Sequence, residues 1–310
     1  MAQHLVIGAG GIGRATARSL VARGHTVRMG TRHGTDPGID GVTAIALNAA
    51  DVEALSPAAT GADSIVNAVN PASYTTWERD WPPMARAILA AAEHTGATLV
   101  TVSNLYGYGP VSSPMTESTP LRPHGIKGRV RAEMWRAARE AHEAGRIRAT
   151  ELRASDYFGP GARKRMSFVQ DFIIRPTLAG RRTLRVPMGN PDVAHSWTYL
   201  PDIGELAATL ATDERAWGHP WHVPTAPPRT MTEVATEVAE ATGVPVPSVR
   251  VIPPLVMAWA RVVPLIRALD ETRHQFEHPF LLDATAATDT FGLIATPWEA
   301  ALDQTLADVG

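Results

Sequence analysis

The residues whose types and spacing most clearly suit chemistry stand at the start of the chain. The stretch "VIGAGGIGRATARSL" sets Gly8, Gly10 and Gly13 in Gly-x-Gly-x-x-Gly spacing between an apolar run and a helical one. Each glycine answers a separate need of a bound dinucleotide: a tight turn at Gly8, close approach of backbone to pyrophosphate at Gly10, and close packing of helix on strand at Gly13. Gly11 and Ile12 open the helix, where free backbone amides favour phosphate. The next apolar run ends "RMGTRHGTD". An NAD-selective site places an acid there to hold the ribose 2′-hydroxyl, whereas Thr31 and Arg32 suit a 2′-phosphate, so NADP(H) is the expected cofactor. The competing reading of Arg32 is a solvated loop cation. Asn48, after the third apolar run, would sit beside the adenine, and Asn70, in "NAVNP", near the nicotinamide ribose. Both equally suit turns, which asparagine tolerates.

Such a loop needs a parallel sheet to position it. Through Tyr157, short apolar runs at 4–8, 25–30, 42–47, 63–69, 97–103 and 147–154 alternate with alanine-rich helical stretches. Continuous apolar strands separated by helices predict an α/β fold, a Rossmann-type doubly wound parallel sheet covered on both faces. Beyond Tyr157 proline, glycine and arginine crowd "FGPGARKRM" and "RRTLRVPMGNPD", and the rhythm stops. A helix and a short strand follow near 201–224, then a helix at 230–242 and another after Pro297. This divides the chain into an NADP-binding Rossmann domain over 1–157 and 193–223 and a smaller C-terminal substrate-binding portion over 158–192 and 224–310.

Composition narrows the partners. The 310 residues carry 29 basic and 31 acidic side chains, a formal charge of −2, which gives no electrostatic reason to expect nucleic acid. The absence of cysteine excludes disulfides, thiolate catalysis and thiolate metal sites. The N-terminus enters a strand at once, without a basic leader or cleavage site. The apolar stretch from Val251 to Ile266 contains prolines and Arg261 and falls short of a membrane span. A cytoplasmic monomer or homodimer is expected, working on a small hydrophobic molecule, with no membrane, nucleic-acid or metal partner. Leu255, Met257, Trp259, Val262 and Leu265 could line a pocket for a flat, apolar substrate; a core helix or dimer contact is the default for such a stripe. "HQFEH", from His274 to His278, has a zinc-peptidase spacing, but Pro279 follows at once and no third ligand is placed for it. The run at 163–165 with Arg181 and Arg182 could clamp a substrate phosphate, although such runs are more often solvated.

Several landmarks, in order, resemble the extended and atypical short-chain dehydrogenase/reductases, the NAD-dependent epimerase/dehydratase group. After the glycine loop, "SNLYGYGP" is similar to that family's serine strand ending in Val-Tyr-Gly. "LRASDYFGPG" resembles its Arg-x-x-x-x-Tyr-Gly-Pro-Gly segment, with Asp156 replacing the usual asparagine and Phe158 added. "HSWTYLPDIGELAATL" and "FLLDATAATDTFGLIATPWEAAL" resemble its two later landmarks. The departure lies in "RPHGIKGRVRAEM". Anchoring on Glu133 puts Gly125 at the family's catalytic tyrosine and Arg129 at its lysine; shifting to Lys127 puts Pro123 at the tyrosine. Neither register restores Tyr-x-x-x-Lys.

The resemblance implies cofactor binding without the usual proton relay, and the candidates for a catalytic end are Ser103, which occupies the family's serine region, Tyr106 and Lys127. Ser103 could hydrogen-bond a carbonyl or cap its strand. Tyr106, followed by Tyr108, suits packing or substrate contact. Lys127 or Arg129 could hold the ribose hydroxyls or polarise the oxygen, or lie on a solvated helix face. A positioned acid contributes ~10²–10⁴-fold, so its loss slows carbonyl reduction without forbidding it. Variants of this kind include ketoreductases that tailor aromatic polyketides. The expected activity is therefore an NADPH-dependent ketoreductase whose substrate or a water supplies the proton. The alternatives are a non-catalytic NADP-binding regulator and a sugar-nucleotide epimerase or dehydratase, the latter leaning harder on the missing tyrosine.

Overall fold

A computed structural model of the protein describes residues 1–253 and 270–309. The first half follows the alternation in the sequence: β1 (Gln3–Ile7), α1 (Gly11–Ala22), β2 (Thr26–Thr31), β3 (Val42–Ala46), α2 (Val52–Ala59), β4 (Ser64–Asn67), α3 (Trp77–Thr95), β5 (Thr98–Asn104), α4 (Gly125–Glu143) and β6 (Ala149–Ala154). The second half is more broken. It contains β7 (Tyr157–Phe158), a π-helical turn (Gln170–Ile174) running into α5 (Arg175–Leu178), β8 (Thr183–Val186) and β9 (Thr198–Tyr199). α6 (Leu200–Thr212), β10 (Pro220–His222), α7 (Met231–Thr242) and β11 (Ser248–Val251) follow, and the last helix spans Trp298–Val309.

Seven strands form one sheet in the order β10-β6-β5-β4-β1-β2-β3, every pair parallel. Strands buried on both faces are apolar at most positions and pair the polar residues they carry, which is why the alternating polar pattern of a one-sided sheet is missing. Val6, Val66 and Val100 face Leu20 of α1 and Ile203, Leu206 and Leu210 of α6. Their neighbours Leu5, Ile65 and Leu99 point the other way, onto Leu55, Ile88 and Ala138 of α2, α3 and α4. The Rossmann-type fold is borne out. The direction of strand order reverses between β1 and β4, and that switch point opens the crevice where such sheets bind ligands.

A separate apolar cluster of Phe158, Ile173, Ile174, Trp197, Val234 and Trp298 gathers the later segments. Two small parallel sheets, β8 with β11 and β7 with β9, tie them together. With only two to four residues per strand, they are too short for any periodicity to announce them. The apolar stripe from Leu255 to Leu265 lies outside the described residues. Among the described residues no helix is long and apolar enough to cross a membrane.

The start of α4 is set by a contact from outside the helix. Gly125 adopts φ +74°, and a Cβ there would meet the Glu271 carboxylate at 2.1 Å. That carboxylate accepts from the amide of Ile126 (2.7 Å) and that of Lys127 (3.3 Å), capping the helix from a distant part of the chain.

Candidate active site

A cleft of about 770 Å³ runs along the C-terminal ends of the strands. Its cofactor end is lined by Gly8, Gly10, Gly11, Ile12, Thr31, Arg32 and Asn48, and its far end by Asn70, Ser103 and Tyr106. Gly8 sits at φ +107°, and a Cβ on it would stand 2.8 Å from the Ala68 carbonyl oxygen. Gly13 packs instead of lining: its Cβ would lie 1.9 Å from the Gly8 oxygen, so α1 closes on β1 only with glycine there. Around Gly10 nothing lies within 4 Å of a Cβ, and α1 has no side-chain cap. A cradle with open space and uncapped amides fits a pyrophosphate.

The rim is cationic. Arg14 donates from its Nε to the Ala9 oxygen (3.3 Å) and from Nη1 to that of Pro37. Arg163, the first arginine of the 163–165 run, donates to the same Ala9 oxygen at 2.9 Å, which sets it against the glycine loop. Arg32 is exposed at the end of β2, while the Thr31 hydroxyl accepts from the amide of Thr35 (3.1 Å). Asn48 bonds its own turn, its Oδ1 accepting from Ala50 at 3.1 Å.

At the far end β5 and β6 finish in register, Asn104 opposite Ala154. The residues beyond them, Tyr106 on one side and Ser155, Asp156 and Tyr157 on the other, therefore converge in the cleft. The buried Ser103 hydroxyl lies beside the Glu151 carboxylate but has no well-formed hydrogen-bond partner. The Tyr106 and Tyr74 hydroxyls stand 3.3 Å apart. Burial raises both phenols, Tyr106 well above its ordinary range, so both remain protonated donors. Tyr108 goes elsewhere. Fully packed, its hydroxyl accepts from Arg153 Nη1 and donates to His222 Nε2, each at 2.6 Å.

α4 departs most from expectation. Arg129 is exposed. Lys127 is buried, paired with Glu271, and its Nζ lies 5.2 Å from the centre of the Tyr74 ring, so it meets the cleft wall from behind. Burial lowers its pKa and Glu271 partly restores it. The member of α4 that reaches the cleft is Arg131. It donates to the Val102 oxygen (3.2 Å) and to Asn70 Oδ1 (3.1 Å), with its guanidinium 4.5 Å from the Trp81 ring. Burial draws Arg131 down to about 10, still a cation at neutral pH. Sequence reasoning passed it over inside a charge-dense helix. The signal was its place with Lys127, Trp135 and Ala138 on one buried face.

Asp156, where the resemblance expects asparagine, carries another unexpected contact: its Oδ2 is 3.0 Å from Nε2 of His195, a residue the sequence did not single out. Among the described residues no cluster of three or more histidines or acids is placed to hold a metal ion. His274 instead points its Nδ1 at the Glu271 carbonyl oxygen (3.2 Å).

The fold is shared with well-studied proteins. The structure superposes on the UDP-glucose 4-epimerase of Thermus thermophilus, solved with NAD, with a TM-score of 0.79 at 20% identity over 99% of this chain and 98% of that one. The UDP-glucuronic acid 4-epimerase of Bacillus cereus, solved with UDP-glucuronic acid and NAD, gives 0.78 at 17% over 99% and 98%. The dTDP-glucose 4,6-dehydratase of Streptomyces venezuelae gives 0.77 at 20% over 98% and 96%. No curated protein sequence matches the chain at a significant level. Residues 4–223, well over half the chain, match the sequence profile of the NAD dependent epimerase/dehydratase family. The chain belongs to that family, and it is an enzyme of the nicotinamide-dependent oxidoreductase type.

Proposed function

We propose that the protein is an NADPH-dependent ketoreductase that reduces a carbonyl of a hydrophobic, aromatic polyketide-type substrate. This reading places the protein near the angucyclinone ketoreductase of simocyclinone biosynthesis. The observation that carries the reading is the composition of the far end of the cleft. Tyr74, Met84, Tyr106, Tyr157, Met166 and Phe280 offer flat apolar surface suited to an aromatic substrate. In this reading residues 1–157 and 193–223 hold NADP, and 158–192 with 224–310 shape the substrate end, to which Met166, Gln275 and Phe280 already contribute.

A bound nicotinamide cofactor supplies the hydride. The glycine loop and the first amides of α1 take its pyrophosphate, Arg32 its 2′-phosphate, and Asn48 the adenine edge. Asn70, held by Arg131, lies on the nicotinamide-ribose side. Ser103 and Tyr106 orient the carbonyl, Lys127 steadies Tyr74 from behind, and the proton comes from the substrate's own hydroxyl or from solvent. The test is reduction of hydroxyaryl ketones followed by NADPH absorbance. Interconversion of UDP- or dTDP-sugars without ketone reduction would establish the family's sugar chemistry instead. Tight NADPH binding with neither activity would establish a regulator.

NADPH should bind more tightly than NADH, and Arg32→Ala should remove the difference, about 1.5–3 kcal/mol for a charge-assisted hydrogen bond. Calorimetry showing equal affinities in the unmodified protein would refute this assignment. A second expectation concerns the proton. Ser103→Ala, Tyr106→Phe, Lys127→Ala and Arg129→Ala should each lower turnover by less than about 100-fold, the lower end for a general acid. A folded, NADPH-binding variant from this set that loses ~10⁴-fold would instead mark that side chain as the acid.

A further inference from the structure

His195 is packed among three aromatic rings, with a polar partner at each ring nitrogen. It stacks on Trp197 with ring centres 4.0 Å apart, on Phe276 at 5.1 Å and on Phe280 at 5.2 Å. Its two nitrogens face different partners: Nδ1 lies 3.1 Å from the backbone oxygen of Gln275, and Nε2 lies 3.0 Å from Asp156 Oδ2. A carbonyl oxygen can only accept, so Nδ1 carries a hydrogen. An ionised carboxylate can also only accept. Both contacts are hydrogen bonds only if one further proton sits between Oδ2 and Nε2, either on the ring as imidazolium or on Asp156 as the acid. A bare Nε2 facing a bare carboxylate would set two lone pairs against each other in a site where His195 is 3% exposed.

Asp156 opens onto the cleft, 21% exposed, and faces the catalytic end. The phenols of Tyr74, Tyr106 and Tyr157 surround it, with Arg131 beyond the first two and Arg163 and Asp171 beside Tyr157. Behind His195 stand the three aromatic rings and the Gln275 carbonyl. Burial keeps the three phenols protonated, so none competes as a base.

We propose that the Asp156–His195 pair is the route by which a solvent proton reaches the reduced carbonyl, with Asp156 as the catalytic residue and His195 as the positioning residue that holds the proton in reserve. The inference rests on the ketoreductase reading. As hydride bonds to the carbonyl carbon, the π pair moves to oxygen. The carboxyl then turns Oδ2–H from Nε2 towards that oxygen and the O–H bond breaks to protonate it, leaving alcohol and carboxylate. One proton from water restores the pair, so the balance is ketone, NADPH and a proton giving alcohol and NADP⁺. Asp156 thereby supplies, at the end of β6, an acid that α4 does not.

Asp156→Asn is the decisive variant, because its amide can donate to Nε2 and keep the geometry while offering no transferable proton. Expected is a fall in turnover of ~10²–10⁴-fold, the contribution of a positioned acid. Calorimetric NADPH affinity should be unchanged and the pH dependence of turnover lost. Ketones with an internal hydrogen bond to the carbonyl should suffer least. In the cofactor-free protein, ¹⁵N NMR of the His195 ring, assigned with His195→Gln, should show Nδ1 protonated and Nε2 shifted by Asp156→Asn. Turnover within a few-fold of the unmodified enzyme with an unchanged pH profile, or an unprotonated Nδ1, overturns the proposal. An unmodified enzyme that reduces no ketone removes the functional reading and this role with it, and the active wild type tells the two failures apart.

Discussion

Arg153→Met is expected to cost ~3–5 kcal/mol of folding stability, the loss seen when one member of a buried ion pair is removed. Arg153 on β6 and Glu151 two residues before it are each 3% exposed, with Nε and Oε1 2.6 Å apart. The guanidinium also donates to Tyr108 and lies 5.0 Å from that ring. Methionine fills comparable volume, so what is lost is the partner of a buried carboxylate. Burial already pushes the Glu151 carboxyl up, against the opposing pull of Arg153 and Arg131. Without Arg153 it rises further, so the variant's deficit relative to the unmodified protein should narrow as pH falls and Glu151 takes up a proton. Replacing both partners, Glu151→Leu with Arg153→Met, should recover most of the loss, since an apolar pair of similar volume avoids the desolvation that the charges suffer. Urea unfolding of the single and double variants measures this. A single variant within 1 kcal/mol of the unmodified protein, or a double variant no better than the single, would show that Glu151 is solvated.

Stability should fall steeply between pH 6.5 and 4, with His4 and His222 each contributing about 3 kcal/mol at ~1.4 kcal/mol per pH unit. Both rings are fully buried, and both are lowered from 6.5 to about 4, chiefly by burial. At His222 the arrangement demands a neutral ring. Nδ1 donates to the Asp283 carbonyl oxygen (2.8 Å), so Nε2 accepts the Tyr108 hydroxyl, itself bonded by the Arg153 cation. At His4, Nδ1 meets the Ser64 hydroxyl (2.8 Å), Nε2 has no partner, and His25 stands 5.0 Å away. A folded-state pKa below the unfolded value means the unfolded chain binds the proton first. The stabilisation is complete above pH 6.5 and is lost as pH falls towards 4. His4→Gln and His222→Gln should each flatten that slope by about half, whatever they cost at pH 7. Equal denaturation midpoints at pH 7 and 4.5 in the unmodified protein would contradict the account.

The sequence by itself determined the sheet, the helices that cover it and the cofactor loop, because the forces behind them are local. Apolar runs separated by helices can satisfy both faces of a parallel sheet in few ways, Gly8 is required by its own left-handed backbone, and Gly13 by a contact within its own strand–loop–helix unit. Where the signal is local the boundary is too, as with α3 ending at Thr95 because Gly96 takes the left-handed region. The catalytic end was another matter. Ser103 and Tyr106 were legible as strand-end residues, but the approach of Arg131 to the cleft depended on which face of α4 packs inward. The cap that starts α4 comes from Glu271, 145 residues from the amide it holds. The Asp156–His195 contact joins residues 39 apart, from the end of one strand to a loop beside another. Such contacts leave no periodicity, since each is made by one side chain meeting one partner after the backbone has been folded for other reasons. Tertiary structure alone decided them, because hydrogen-bond reach is a few ångströms in space and has no fixed length along the chain.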